Sequence, residues 1–110
     1  MARSLAVALA FVAMANPAPA VQTSMQLTGA SFVEACTRAD ENWVSFCNGY
    51  IQAAVDSLEV PGTVCLPAGT SRTELVTLVE SVISGTPELQ RMNAFHAVQI
   101  VLDSYYRCGD

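Results

Sequence analysis

The chain has 110 residues with ten acidic and five basic side chains, a formal net charge of -5 and four cysteines. This length allows one domain and excludes a multidomain enzyme. An acidic surface repels phosphate backbones and anionic lipid headgroups, so nucleic acid and membrane surfaces are unfavourable partners.

The first twenty residues are predicted to be a signal peptide. Arg3 supplies the positive start, an apolar stretch follows over residues 5–15, and Ala18-Pro19-Ala20 has the small residues that a signal peptidase accepts. Cleavage near Ala20 would release an exported mature domain, residues 21–110. An apolar stretch of about 11 residues is too short to span a bilayer.

A short first helix is predicted after a loose leader over residues 21–27. Ser31 and Glu34 have the spacing of a capping box, in which each side chain bonds the free backbone N–H of the other residue. We therefore expect a helix over residues 29–38.

The second helix has the clearest pattern in the chain. Asp40 can cap its first turn, and Pro61 ends it because proline disfavours helical geometry in the residue before it. Gly49 costs this helix about 1 kcal/mol relative to alanine, and the close approach of another backbone would explain its presence. The apolar face repeats every three or four positions and comprises Trp43, Cys47, Tyr50, Ile51, Ala54 and Leu58.

A loop and a third helix are predicted next. Residues 61–70 hold two prolines and two glycines around Cys65, which indicates an irregular loop. Ser71 and Glu74 repeat the capping spacing and begin a helix that ends at Gly85.

The last predicted element is a fourth helix over residues 87–107. Thr86 can cap it, and Pro87 fits the first helical position without losing a needed N–H. No useful length of the mature chain alternates with a period of two. The expected fold is therefore an all-α, four-helix domain stabilised by disulfides.

Four cysteines in an exported domain of this size indicate two disulfides. Helices joined by short connections lie antiparallel, which brings Cys36 toward Cys47 and the loop with Cys65 toward Cys108. We favour these two pairs, although four cysteines allow three pairings and the sequence does not choose among them. No close Cys-x-x-Cys spacing is present, so we expect no metal site.

The residues that could carry enzyme chemistry have simpler structural interpretations. Cys47 and His96 could form a thiol and its base, but an exported cysteine is more often bonded, and a single histidine more often lies at the surface. Paired carboxylates can act as general acid and base, yet here they are more simply capping and solvated groups: Glu34, Asp40 and Glu41. No Gly-x-Ser-x-Gly elbow or phosphate-binding glycine loop occurs. We therefore expect no catalysis and no cofactor.

Aromatic side chains are candidates for the core or for an interface. Phe46 and Tyr50 are expected to pack in the core or between helices. Tyr105 and Tyr106 point about 100° apart on a helix, so only one of them can face the core fully. The other is available to a partner, since tyrosine is enriched at protein interfaces. Asp56 is expected to cap a neighbouring segment or to pair with an arginine.

Several stretches of the sequence resemble a known family. They are SFCNGYIQAAVDSL, CLPAGT and ELVTLVESVISGTPEL, followed by a terminal Tyr-x-Cys. The most specific part is Phe46-Cys47-x-Gly49-Tyr50-Ile51 with Asp56, followed by Cys65-x-Pro67. Over residues 32–108 the chain resembles the Rap/Tai family of immunity proteins, small helical periplasmic domains that protect bacteria against type VI secretion amidase effectors.

The resemblance implies a periplasmic protein that binds a peptidoglycan amidase, occludes its active-site cleft and performs no chemistry of its own. It also implies a homodimer. A loop that a disulfide already orders loses less entropy on binding, so the contact residues are expected in the 61–70 loop and at the end of the last helix: Pro61, Gly62, Thr63, Leu66, Pro67 and Tyr106. The acidic surface would complement a basic effector.

Two other functions stay open at the level of sequence. A periplasmic stress chaperone would open at low pH as its carboxylates are protonated, and would then expose apolar surface. Two disulfides argue mildly against a domain that must open. An envelope-associated binding module would keep the same fold and take a different partner.

Overall fold

The computed structural model describes residues 26–109, which form five α-helices joined by short connections. They are α1 (Gly29–Cys36), α2 (Glu41–Glu59), α3 (Arg72–Ser84), α4 (Pro87–Arg91) and α5 (Ala94–Tyr106). The described residues contain no β-strand, so the all-α class is confirmed. The signal peptide predicted over residues 1–20, and most of the leader predicted over 21–27, lie outside the described residues.

One hydrophobic core lies between the helices and receives side chains from all five. Burying a side chain of this kind stabilises the fold by roughly 1.5–3 kcal/mol, so the core is the main source of stability. No polar or charged residue of the described segment belongs to the fully buried set. The largest buried side chains are Phe32, Ile51, Leu75, Val79, Ile83, Val98, Val101 and Leu102.

The helix predicted over residues 87–107 is interrupted and forms α4 and α5. Met92 has extended backbone geometry, with φ -88° and ψ 169°, and Asn93 starts α5 by accepting a hydrogen bond from the N–H of His96 at 3.2 Å. The break lets this segment pair with the residues before α1. The N–H of Gly29 donates to the Met92 carbonyl at 2.9 Å, and the N–H of Ala94 donates to the Leu27 carbonyl at 2.7 Å.

The close backbone approach in this fold occurs at Gly29 and not at Gly49. A Cβ atom added at Gly29 would overlap the backbone carbonyl of Leu89, whose carbon atom would lie 2.9 Å away. A Cβ atom added at Gly49 would meet nothing within 4 Å. The prediction of close packing at Gly49 is therefore wrong, because that face of α2 is exposed.

Helix starts agree with the sequence patterns in part. Ser71 caps α3 by accepting a hydrogen bond from the N–H of Glu74 at 3.1 Å, which is one of the two bonds of the predicted capping box; the described residues do not form the other. At α1 the cap is Thr28 rather than Ser31, since the Thr28 hydroxyl accepts from the Ser31 N–H at 3.1 Å. Asp40 occupies the cap position of α2, but its side chain makes no capping hydrogen bond. The first helix also ends at Cys36, two residues earlier than predicted.

Two disulfides join the ends of the helices. Cys36 at the end of α1 is bonded to Cys47 in α2, with Cα atoms 5.7 Å apart. Cys65 in the loop is bonded to Cys108 beyond α5, with Cα atoms 4.8 Å apart. These are the two pairs that the antiparallel arrangement favoured. No described cysteine is left free.

A row of aromatic rings runs along α2 and into the core. Phe46 and Tyr50 have ring centroids 5.7 Å apart, and Tyr50 lies 5.3 Å from Phe32 and 5.8 Å from Phe95. Burial of Tyr50 against this cluster raises the pKa of its phenol. Phe46 lies outside the core with 39% of its surface exposed, so of the two expected positions, in the core or between helices, the core is wrong for this residue.

Candidate partner-binding site

The 61–70 loop is tied to the end of α5 by a disulfide and by two backbone hydrogen bonds, which together place Val64 opposite Arg107. The N–H of Cys65 donates to the Tyr106 carbonyl at 2.8 Å, and the N–H of Cys108 donates to the Thr63 carbonyl at 3.1 Å. Val64 and Arg107 form an isolated antiparallel bridge between them. The structure thus brings together the loop and Tyr106, the two places at which contact residues were predicted.

The first part of the loop is a tight turn after α2. Gly62 has φ +81°, in the left-handed region that favours glycine, and its N–H donates to the Glu59 carbonyl at 2.9 Å. The N–H of Thr63 donates to the Leu58 carbonyl at 2.9 Å. These bonds satisfy carbonyls at the end of the helix and fix the direction in which the loop leaves it.

The second part of the loop is a turn that begins at Pro67 and ends at Thr70. Gly69 has φ +85°, and the N–H of Thr70 donates to the Pro67 carbonyl at 3.2 Å. The Thr70 hydroxyl donates to the same carbonyl at 2.7 Å. A glycine with positive φ at the third position of such a turn gives the type II geometry. In both halves of the loop, hydrogen bonds within the turn and a glycine with positive φ restrict the backbone conformation.

The predicted contact residues divide into an exposed group and an anchoring group. Pro61, Gly62, Thr63 and Pro67 are exposed. Leu66 and Tyr106 are partly buried against the core and support the loop from beneath. Val64, at 2% exposure, is the fully buried anchor of the loop.

Charge lies beside the loop and not within it. Residues 60–70 contain no charged side chain. At the end of α5, the guanidinium of Arg107 bonds the Asp103 carboxylate at 2.6 Å, and this hydrogen bond and charge raise the pKa of Arg107. A partner therefore meets uncharged loop surface with a fixed ion pair at its edge.

The profile of one protein family, described as Rap1a immunity proteins, matches residues 28–108. The match begins at the cap of α1 and ends at the last cysteine, so it spans every described helix and both disulfides. The chain belongs to this family. The resemblance inferred from the sequence motifs is thereby confirmed. Comparisons with curated proteins and with solved structures gave no match.

Cys47 and His96, the pair considered for catalysis, do not act together in this immunity protein as a thiol and its base. Cys47 is 2% exposed and bonded to Cys36, so it carries no thiolate that could attack a substrate. His96 is exposed on α5, and its backbone N–H donates to the side chain of Asn93, which caps the helix. Within residues 26–109, no three His, Cys, Asp or Glu side chains come together as a metal site would require.

The carboxylates singled out from the sequence also differ in their contacts. Glu34 forms an i,i+4 ion pair with Arg38 at 3.8 Å. Asp56 accepts a hydrogen bond from the amide of Gln52 at 2.9 Å, rather than capping a neighbouring segment or pairing with an arginine.

No described helix is both long and apolar enough to cross a bilayer.

Sequence reasoning missed two exposed apolar side chains near the site. Val60, which precedes the loop, is 88% exposed, and Tyr105 is 57% exposed whereas Tyr106 packs on the core. The signal for Val60 was its position two residues after Leu58, which places it about 200° around the helix from the buried stripe. The adjacent tyrosines predicted that one of them faces outward; the expected contact residue was Tyr106, but the exposed ring is that of Tyr105.

Proposed function

We propose that this immunity protein acts in the periplasm, where it inhibits a type VI secretion peptidoglycan amidase by covering its active-site cleft. Membership of the Rap1a immunity family supports a protein effector as the partner. Two disulfides support an oxidising compartment outside the cytoplasm. The predicted signal peptide agrees with that compartment.

The observation that carries the proposal is the fixed, exposed 61–70 loop. Its two turns, its buried Val64 and its disulfide to Cys108 hold the backbone in one conformation before any partner arrives. Binding through such a loop avoids most of the ordering cost that a flexible segment would incur. The exposed residues Pro61, Gly62, Thr63 and Pro67 would then form the contact surface.

The negative charge of the protein would increase the rate and the selectivity with which it meets a basic effector. The excess of acidic over basic side chains attracts a basic effector over several ångströms, and the uncharged loop avoids burying an unpaired charge at the contact. Inhibition would therefore arise by steric occlusion, with the amidase chemistry left entirely to the effector.

The direct test uses the mature domain and a type VI secretion peptidoglycan amidase, which we expect to be encoded beside its gene. We expect a stable complex and loss of peptidoglycan cleavage at stoichiometric ratios. Pro67→Arg places a long charged side chain on the loop and should weaken binding at least tenfold, which corresponds to about 1.4 kcal/mol. Ala53→Arg places the same side chain on the exposed face of α2, away from the loop, and serves as the matched control.

Two results would contradict the proposal in different ways. If the mature domain neither binds nor inhibits the amidase, the effector class is wrong. If Pro67→Arg and Ala53→Arg bind equally well, inhibition does not use the loop. The homodimer implied by the resemblance stays a prediction, and light scattering of the purified domain would test it.

The acid-opening chaperone receives no support from Glu80 on α3. Burial raises the pKa of this carboxyl, so its protonation favours the folded state. Opening at low pH requires carboxylates with the opposite shift, whose protonation favours the unfolded state.

A further inference from the structure

A second surface of the protein contains a carboxylate in a groove, a feature that the uncharged loop lacks. A groove of about 140 Å³ lies between α2 and α3 beside the Cys36–Cys47 disulfide. We call it the α2–α3 groove, and its lining includes Val44, Cys47, Asn48, Thr73, Thr77 and Glu80. Apolar side chains and uncharged polar groups alternate there, with a single carboxylate.

One oxygen of that carboxylate has no hydrogen-bond donor among the described residues. The Oε1 atom of Glu80 is shielded from solvent and accepts no hydrogen bond from residues 26–109. Leaving a buried acceptor without a donor costs about 1–3 kcal/mol, and more when the group is charged. Groups of this kind are rare in native proteins and call for an explanation.

No cation of the described segment neutralises Glu80. The two ion pairs there join Arg38 to Glu34 and Arg107 to Asp103. The side chains of Thr73 and Thr77, which share its face of α3, make no hydrogen bond within residues 26–109. Because the Glu80 side chain as a whole is only partly buried, the groove offers its carboxylate and two unbonded hydroxyls to an incoming donor.

We propose that the α2–α3 groove receives a basic side chain of the bound effector, which forms an ion pair with Glu80. This inference rests on the proposed function, because it takes the effector as the source of the cation. A guanidinium supplies several N–H donors in one plane, and its hydrocarbon stem can lie against Val44 and the disulfide. The partly buried carboxylate would gain a charged donor in the complex, which makes Glu80 a specificity determinant separate from the loop.

The first test compares two charge-removing variants of α3 in binding to the amidase. Glu80→Gln removes the charge inside the groove, and Glu74→Gln removes the same charge from an exposed position on the same helix. We expect Glu80→Gln to raise Kd at least tenfold and Glu74→Gln to change it less than threefold, since an exposed charge acts mainly on the association rate. Equal effects of the two variants, or no effect of Glu80→Gln, would overturn the ion pair.

The second test does not need the effector. Ethylguanidinium is titrated into the isotope-labelled mature domain, with the neutral isostere ethylurea as control, and amide resonances are followed. We expect ethylguanidinium to shift the resonances of Asn48, Thr77 and Glu80, with no such shift in Glu80→Gln or with ethylurea. Absence of these shifts in the wild-type protein would refute the groove as a cation site.

These two tests separate this inference from the proposed function. A protein that binds and inhibits the amidase but tolerates Glu80→Gln refutes the groove alone. A protein that binds ethylguanidinium in the groove but ignores the amidase refutes the effector class alone. Thermal melting of Glu80→Gln confirms that the variant is folded, as expected for removal of an unpaired charge.

Discussion

Gly29 lies against the backbone carbonyl of Leu89, so closely that any side chain at this position would overlap it. The contact joins the first turn of α1 to α4, and the neighbouring hydrogen bonds from Gly29 to Met92 and from Ala94 to Leu27 continue it. The start of α1 therefore lies directly on the break between α4 and α5. This junction positions three helices with respect to one another.

Substitution of this glycine tests the junction. We expect Gly29→Ala to lower the free energy of unfolding by about 1–3 kcal/mol, because backbone atoms must move to admit the methyl group. The matched control is Gly49→Ala, whose methyl group meets nothing within 4 Å. Since alanine is favoured over glycine inside a helix, Gly49→Ala should raise stability by up to about 1 kcal/mol. Urea unfolding of both variants measures the difference.

The two glycines also show what the sequence can and cannot predict. A glycine inside a helical pattern indicates that something is unusual, and the pattern drew attention to Gly49. The close contact occurs instead at Gly29, because it depends on where Leu89 lies in space. Local periodicity predicts the helices and their buried faces, whereas contacts between residues sixty positions apart follow from packing that the pattern does not contain.

The interruption between α4 and α5 leads to a second stability prediction. Asn93→Ala removes the side chain that accepts the N–H of His96, and we expect it to cost about 1 kcal/mol, the usual value for a helix cap. Asp40→Ala changes another cap position at which the side chain makes no hydrogen bond, so a smaller loss is expected. Thermal unfolding measured under one set of conditions would compare them. Equal losses would show that the Asn93 side chain does not maintain the break.

This break was not predicted because Thr86 and Pro87 mark a strong helix start and no proline or glycine follows before residue 108. Leu89 and Ala94 are both buried, although residues five apart lie about 140° apart around a continuous helix, so the break brings both to the core. Asn93 is a residue type that favours helix starts, but the sequence around it carries no other sign of an interruption. At the candidate site, by contrast, Pro61, Gly62 and Pro67 marked the loop correctly, since proline and glycine report local backbone geometry. The exposure of Val60 and Tyr105 depended on the tertiary fold.

The carboxyl of Glu80 leads to a prediction about pH. Burial raises its pKa in the folded protein above the ordinary value of 4.5, so the folded state prefers the protonated form. The resulting stability is present below that ordinary value and is lost as the pH rises through the raised pKa. Glu80→Gln removes the ionisation, so its stability relative to the wild type should increase between about pH 4 and about pH 7.

Urea unfolding at both pH values checks this expectation. Glu74→Gln is the control from the same helix, and it should lose rather than gain stability at neutral pH, because it removes a negative charge from the first turn of α3. A constant difference between Glu80→Gln and the wild type across this range would contradict the assignment of the buried carboxyl.

The final prediction concerns the disulfide that holds the 61–70 loop. The Cys65–Cys108 bond spans 43 residues and the Cys36–Cys47 bond spans 11. The loop-closure entropy assigns roughly 4 kcal/mol to the longer span and roughly 3 kcal/mol to the shorter one. Replacing either pair by serine should therefore lower stability, with the larger loss for the Cys65–Cys108 pair. A loss of stability alone does not show whether the Cys65–Cys108 disulfide stabilises the whole domain or orders the 61–70 loop in particular.

Amide hydrogen exchange makes that distinction. The N–H groups of residues 65 and 108 donate to Tyr106 and Thr63 across the anchored junction. We expect their protection to fall in the Cys65→Ser/Cys108→Ser variant and to persist in the Cys36→Ser/Cys47→Ser variant, measured where both remain folded. Equal protection in the two variants would show that backbone bonds alone order the loop. The rigidity on which the proposed inhibition depends would then come from the turns at Gly62 and Gly69 rather than from the sulfur bridge.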